Sequence, residues 1–258
     1  MKIATWNVNS LKVRLPHVLD WLNTYQPDVL ALQETKLIDD KFPHAELQAV
    51  GYSCLCSGQP TYNGVAILSR MAPEDCIHGI ANYEDVQKRV LSATIAGIRI
   101  VNVYIPNGQS VDSDKYVYKL AWLEALTALL ARELKTYPNL VLLGDYNIAP
   151  EPRDVHDPQA WEGQVLFSAP ERAAFQGLLN LGMRDSFRLF EQAEKSFSWW
   201  DYRMNAFRRN MGLRIDHILV SAPLVSLCKT VVIDKEARKA ERPSDHAPVM
   251  LELSLACK

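Results

Sequence analysis

A chain of 258 residues is one large α/β domain or two small ones. With 28 basic against 30 acidic residues the net charge is -2, which excludes an overall basic surface, so any contact with nucleic acid must come from a local patch. Five cysteines, an odd number without the spacing of a disulfide framework, argue for a reducing compartment. No apolar run is long enough to span a bilayer and Met1 to Thr5 has no apolar signal core, so a soluble cytoplasmic protein is expected.

Ile3 to Trp6 reads as a first strand ending at Asn7. An amphipathic helix carrying Leu15, Val18, Leu19 and Leu22 follows, closed by Pro27. Asp28 to Glu34 is a buried strand that presents Gln33 and Glu34 at its carboxyl end. Gly51 to Ser57, Gly64 to Ser69, Val90 to Ile95 and Ile98 to Ile105 have Gly or polar turns between them, as meandering antiparallel strands do. Cys54 and Cys56 alternate as strand positions and read as filler, since neither a second pair nor a His cluster accompanies them. The clearest helix is Lys115 to Leu134, with Tyr116, Leu120, Leu123, Leu126 and Leu130 on one face, Trp122 as core packing and Pro138 as its stop.

In the stretch from Asn139 to Asn147, the apolar run Leu140 to Leu143 predicts a strand covered on both faces. Gly144 is expected to let the backbone leave the sheet. Asp145 and Asn147, two apart on extended backbone, should then project to one side and meet one ligand together. Pro170 to Leu181 predicts a helix stopped by Gly182, and Leu213 to Val220, Val231 to Asp234 and Val249 to Leu255 predict strands. The order of elements has a rough two-fold character, without a residue-level repeat or a Gly/Ser/Pro linker. A two-sheet sandwich with helices outside, in one domain, fits better than two separable units.

Asn7, Glu34, Asp145, Asn147, Asp216 and the pair Asp245-His246 all lie at or near ends of apolar strands, and in a layered α/β fold such ends line one crevice. Several carboxylates in one cleft repel unless a cation neutralises them, and oxygen donors without a Cys/His cluster suit Mg²⁺ rather than structural Zn²⁺. A His beside a carboxylate can be held protonated or in one tautomer, ready for a phosphate oxygen, with Asp216 as the orienting acid.

Thr5-Trp-Asn-Val-Asn9, Leu32-Gln-Glu-Thr-Lys36, Asn102-Val-Tyr-Ile-Pro-Asn-Gly108, Gly144-Asp-Tyr-Asn147, Leu213-Arg-Ile-Asp216 and Ser244-Asp-His-Ala-Pro248 together resemble the ordered motifs of the exonuclease III family of abasic-site endonucleases. The resemblance covers essentially the whole chain. It implies a DNase I-like four-layer α/β sandwich, two packed mixed β-sheets flanked by helices, and Mg²⁺-dependent hydrolysis of DNA phosphodiesters, with Mn²⁺ able to substitute. It implies Glu34 as principal metal ligand with Asn7 and Asp245 near the metal. Asp145 would orient or deprotonate the attacking water, Asn147 would hold it, and Tyr104 would place its hydroxyl on the phosphate or leaving oxygen. His246, oriented by Asp216, would bind the scissile phosphate. The implied partner is double-stranded DNA with 3′ ends or abasic sites, met by a monomer on nucleoid DNA.

Phe197 to Arg214 interleaves aromatics with four arginines against one aspartate, a composition suited to phosphate and sugar. By the same resemblance Trp199, Trp200, Arg208, Leu213 and Ile215 are substrate-binding, with Trp199, Leu213 and Ile215 at a pocket for a flipped abasic sugar, while Arg89 and Gln109 approach the DNA strand. One departure stands out: Val165-Leu166-Phe167 replaces the small residues that many abasic endonucleases of this family carry beside the pocket. A bulkier wall disfavours internal abasic sites more than 3′-terminal chemistry. Two alternatives stay open: a phosphatase or phosphodiesterase for inositol phosphates or sphingolipid head groups, and a catalytically silent DNA-binding module.

Overall fold

A computed structural model describes residues 1–254. In chain order the elements are β1 (Lys2–Asn7), α1 (Leu11–Tyr25), β2 (Val29–Gln33), α2 (His44–Ala49), β3 (Ser53–Ser57), β4 (Val65–Ser69), β5 (Glu74–His78), β6 (Val90–Ile95), β7 (Ile98–Tyr104) and α3 (Asp114–Thr136). Then follow β8 (Leu140–Asp145), α4 (Pro158–Trp161), α5 (Ala169–Asn180), β9 (Met183–Asp185), β10 (Asp216–Ser221), α6 (Ala222–Val225), β11 (Cys228–Ile233) and β12 (Val249–Leu253). The last expected strand residue, Leu255, lies outside the described residues.

The strands form two six-stranded mixed sheets, in the orders β11-β12-β1-β2-β4-β3 and β5-β6-β7-β8-β10-β9. Each has one parallel pair at its centre, β1 with β2 and β7 with β8, and antiparallel partners outward on both sides. The two-fold character expected from element order is therefore a property of strand pairing. Apolar residues from both sheets, among them Ile3, Val29, Ile67, Ile100, Val141 and Ile218, fill the space between them. Trp21 and Leu22 of α1 and Leu47 of α2 cover the outer face of the first sheet. Trp122, Leu126 and Leu130 of α3 with Phe175 and Leu178 of α5 cover the second. Four layers result, and they explain why β2, β4 and β8 read as largely apolar runs: each is buried on both faces. Among the described residues no helix is long and apolar enough to cross a membrane.

Helix ends follow local chemistry. Ser113 caps α3, its hydroxyl accepting from the Tyr116 N–H at 3.2 Å, and Ser168 with Glu171 forms a reciprocal capping box on α5. Two strands escape sequence pattern. All five residues of the edge strand β5 are exposed, so no apolar alternation marks it, and β9 is three residues long. The strand expected from Leu213 begins at Asp216, since Leu213 makes isolated bridges with Val155 and Trp199 instead.

Gly144 does not release the chain from the sheet. β8 continues through it to Asp145, and the glycine is needed because an added Cβ would meet the Val103 carbonyl oxygen of β7 at 1.9 Å, on backbone with φ +147°. Gly97, in the β6–β7 turn, also has positive φ (+77°) but nothing within 4 Å of a Cβ. Gly144→Ala should therefore cost about 3 kcal/mol or more of stability, whereas Gly97→Ala should cost about 1 kcal/mol through backbone strain alone. Urea unfolding of the two variants checks this; equal losses would mean that β7 and β8 part easily at this point.

Candidate active site

The carboxyl ends of the two parallel pairs meet. β1 ends in Asn7, Glu34 follows β2, β7 ends in Tyr104 and β8 ends in Asp145. The Asn7 side-chain amide joins the sheets by donating to Glu34 Oε1 and to Asp145 Oδ2, both at 2.9 Å. One layer below, Gln33 Nε2 donates to Asn102 Oδ1 at 2.8 Å, and Asn102 Nδ2 donates to the Leu32 and Ala66 carbonyls at 3.0 and 2.9 Å. These buried amides stitch the sheets directly beneath the site, so the distance from Glu34 to Asp145 is fixed by the packing of the whole sandwich.

Antiparallel pairing of β10 with β8 sets Asp216 opposite Asp145. His246 arrives on the segment leading into β12, anchored where Ser244 Oγ donates to the Asn7 carbonyl at 2.7 Å. Its Nδ1 lies 2.9 Å from Asp216 Oδ2 and its Nε2 lies 3.7 Å from Asp145 Oδ2. Burial by itself pulls the imidazole towards its neutral form, but Asp216 and Asp145 outweigh it and hold the His246 pKa above its ordinary value. Burial raises the Asp145 pKa, with His246 and the Asn7 amide opposing and Asp216 reinforcing. Asp216 is itself steadied by the Ser198 hydroxyl, which donates to it at 2.7 Å. The Tyr104 phenol is kept protonated by burial and by the charges of Glu34 and Asp145.

Asn147 reaches the site by a route different from the expected one. The strand stops at Asp145, and Asn147 sits in left-handed backbone with φ 49°. That turn lets its N–H donate to Asp145 Oδ1 at 2.9 Å, while Asn107 Nδ2 donates to the Asn147 amide oxygen at 3.1 Å.

Ligand atoms of Glu34, Asp145 and His246 all lie within 4.8 Å of one another. With His246 protonated, the oxygens of Glu34 and Asp145 are what a cation could take, and a hard divalent ion suits them. The other two expected metal residues lie beside this cluster. The Asn7 amide turns its NH₂ towards both carboxylates, and its oxygen accepts from the Asn9 N–H at 2.9 Å. Asp245 stands outside the tight cluster: its oxygens accept from Asn9 Nδ2 and Trp199 Nε1, each at 3.0 Å. Burial alone would raise its pKa; His246 and those two bonds hold it below the usual carboxylate value. Lys36 closes the rim, 2.9 Å from Glu34 Oε2 and donating to Asn9 Oδ1 at 2.6 Å. Asn9, Lys36 and Asn107 lie within the motif stretches and could have been singled out there; Ser198 has no signal in the sequence.

The expected substrate contacts divide. Trp199 is half-buried beside Asp245, and Arg208 and Gln109 are exposed. Trp200 is 0% exposed, stacked edge-on against Phe207 with its N–H on Asn210, so it anchors the arginine-aromatic loop and does not face a ligand. Leu213 and Ile215 are likewise buried, packed with Ala149, Val155, Leu166 and Phe167, and form a filled floor instead of a pocket lining. Of the four arginines in the loop, Arg214 is buried in ion pairs with Asp154 and Asp185 at 2.7 and 2.8 Å, and Arg203 pairs with Asp201. Arg208 and Arg209 remain exposed. Arg89 lies 4.7 Å from the Tyr104 ring centroid and donates to Gln87 and to the Tyr104 carbonyl, so its first task is to brace Tyr104. It also edges a groove of about 690 Å³ with Tyr62, Tyr104, Asn107, Gln109 and Lys115.

Residues 4–246 match the profile of the endonuclease/exonuclease/phosphatase family. The chain is 37% identical to an exodeoxyribonuclease III of Haemophilus influenzae, over 98% of this chain and 99% of that one. It shares 50% identity and a TM-score of 0.97 with a 3′ phosphatase from Neisseria bound to product DNA hairpin, covering 99% of this chain and 100% of the other. An AP endonuclease from Archaeoglobus fulgidus superposes with a TM-score of 0.95 at 40% identity, again over 99% and 100%.

The charge on His246 can be read directly. In metal-free protein its ring resonances should titrate above the ordinary range of histidine, and Asp216→Asn should bring that titration down by about one unit or more. An unchanged midpoint in the variant would remove Asp216 as the cause.

Proposed function

Because this chain belongs to the endonuclease/exonuclease/phosphatase family and is a nuclease of the exodeoxyribonuclease III and AP endonuclease type, we propose that it is a Mg²⁺-dependent DNA-repair enzyme specialised for the 3′ ends of duplex DNA. It acts as a 3′-5′ exonuclease and 3′-phosphatase, and cuts 5′ to abasic sites more weakly. The observation that carries this reading is the cluster of Glu34, Asp145 and His246 backed by Asp216, assembled from both sheets at one crevice.

Hydrolysis of a phosphodiester needs an aligned water, neutralised non-bridging oxygens and a stabilised leaving oxygen. Asp145, with its raised pKa, takes the proton of the attacking water, and Asn147 holds that water. His246, protonated and turned by Asp216, donates from Nε2 to a phosphate oxygen. Tyr104 donates its hydroxyl to the phosphate or the leaving oxygen. Glu34 and Asp145 would hold the cation, with Asn7 fixing both carboxylates and Asp245 adding negative charge at the margin. Bound there, Mg²⁺ or Mn²⁺ supplies Lewis-acid neutralisation of charge on the phosphate and the leaving group. The groove beside Tyr104 with Arg89 and Gln109 on one flank, and Trp199 with Arg208 and Arg209 on the other, offers the DNA strand a path across the site as a monomer.

The preference for ends is supported by the wall. Val165 is half-buried and Leu166 and Phe167 are buried, packed with Leu213 and Ile215 where a flipped sugar would have to sit. The first test uses two labelled duplexes, one with an internal abasic analogue and one with a recessed 3′-phosphate, with Mg²⁺ or EDTA. EDTA should abolish turnover, and Asp145→Asn or His246→Ala should lower kcat by about 10²- to 10⁴-fold; full activity in EDTA would sink the reading. Leu166→Gly, which suits the positive φ of 77° there, should raise internal incision relative to 3′-phosphate removal by about 10-fold. A ratio that stays put would clear the wall of responsibility.

A further inference from the structure

Lys119 and Glu171 form a buried ion pair away from the reacting groups. Lys119 leaves the inward face of α3, Glu171 sits in the first turn of α5, and both side chains are 0% exposed. The Lys119 ammonium donates to the Asn147 carbonyl at 2.7 Å, to the Asn107 carbonyl at 3.1 Å and to the Glu171 carboxylate. The Glu171 oxygens also accept from the Leu166 N–H at 3.0 Å, the Ser168 N–H at 3.0 Å and the Ser168 hydroxyl at 2.6 Å. All three ammonium donors are thus used, and the acceptors belong to three separate segments. One carries Asn107, one carries Asn147, and the third is the start of α5, where the Glu171 carboxylate in turn accepts from the Leu166 N–H of the wall.

An ion pair in a core contributes little net stability compared with an apolar pair of the same volume. What this pair does supply is geometry. Asn147 (φ 49°) and Leu166 (φ 77°) both stand in left-handed backbone, which L side chains rarely adopt and which neighbouring bonds must hold. The two segments are also joined directly, the Ala149 N–H donating to the Leu166 carbonyl at 2.8 Å. A Cβ on Gly108 would meet Lys119 Cδ and Val165 Cγ2 at 3.1 Å each, so the Asn107 segment packs directly against both the stem of the lysine and the wall.

We propose that Lys119 and Glu171 are positioning residues that lock the water-holding Asn147 to the wall formed by Val165, Leu166 and Phe167, so that the geometry of hydrolysis and the choice between chain end and internal site are set by one buried contact. The proposal deepens the nuclease reading and rests on it. A substrate that pushes the wall outward pulls, through Glu171 and Lys119, on the backbone of Asn147. The wall thereby penalises an internal abasic site twice, once by volume and once by displacing the group that holds the water.

The test is a double-mutant cycle on the recessed 3′-phosphate duplex with Mg²⁺. Lys119→Met should lower kcat by about 10²-fold with KM within about 3-fold, and in an Asn147→Ala background it should cost less than about 3-fold more, the mark of two groups acting as one unit. Folded Lys119→Met with unchanged kcat, or a loss that multiplies fully with that of Asn147→Ala, overturns the proposal. Should Lys119→Met not fold, Glu171→Gln is put through the same cycle with the same two readings. Amide exchange in metal-free protein needs no activity and so separates this inference from the nuclease reading. Exchange at Leu166 and Ala149 accelerated together by about 10-fold or more in the variant supports the lock even where wild type hydrolyses nothing, and unchanged exchange at both overturns it.

Discussion

His246 lies between two carboxylates that would repel each other without it. The register of β8 against β10 places Asp145 opposite Asp216, both buried, and an imidazolium shared between them is what makes that arrangement tolerable. It neutralises part of the charge, and the rest is left facing the crevice, on Asp145 and on Glu34 beyond it. The site is therefore a place of excess negative charge, Glu34, Asp145, Asp216 and Asp245 set against His246 within and Lys36 at the rim. That combination suits a ligand that brings a cation and an anion together, as a metal-bound phosphate does.

Such a cluster has to be held by something other than its own attractions. Here the holding falls to the two sheets, each contributing the ends of a central parallel pair, and to the amides of Asn7, Gln33 and Asn102 that cross between them. Parallel strands run their carboxyl ends in the same direction, so a single parallel pair in each sheet suffices to bring Asn7, Glu34, Tyr104 and Asp145 to one edge. The antiparallel strands outside each pair widen the sheets and bury their faces, and two of them, β10 and β12, carry the remaining partners in from the sides.

Much of this was readable in the residues. Apolar runs ending in Asn7, Glu34 and Asp145 marked the strands and their polar ends, because a strand covered on both faces has no alternation to obscure it. The helical periodicity of α3 survived because its apolar face meets the second sheet along its length. What escaped had physical reasons. β5 is an edge strand without a buried face. Gly144 signals a departure from the sheet as readily as a close approach within it, and only the neighbouring carbonyl of Val103 decides between them. Trp200 and Arg214 share the composition of a DNA-facing loop, yet one is the loop's anchor and the other its buried counter-charge, a difference fixed by partners remote in sequence. Lys119 and Glu171 gave no sign, since a charged residue on a helix is read as solvated until its burial is known.

The division of the crevice between two sheets has a consequence for how the molecule loses competence. Glu34 and Asp145 belong to different sheets, and each sheet has its own hydrogen-bond ladder. A slight slide of one sheet over the other would leave helix and strand content intact while pulling the two acids out of register. Inactivation by heat or denaturant would then run ahead of the loss of secondary structure, and the nearest measure of native packing at the sheet interface would be turnover itself.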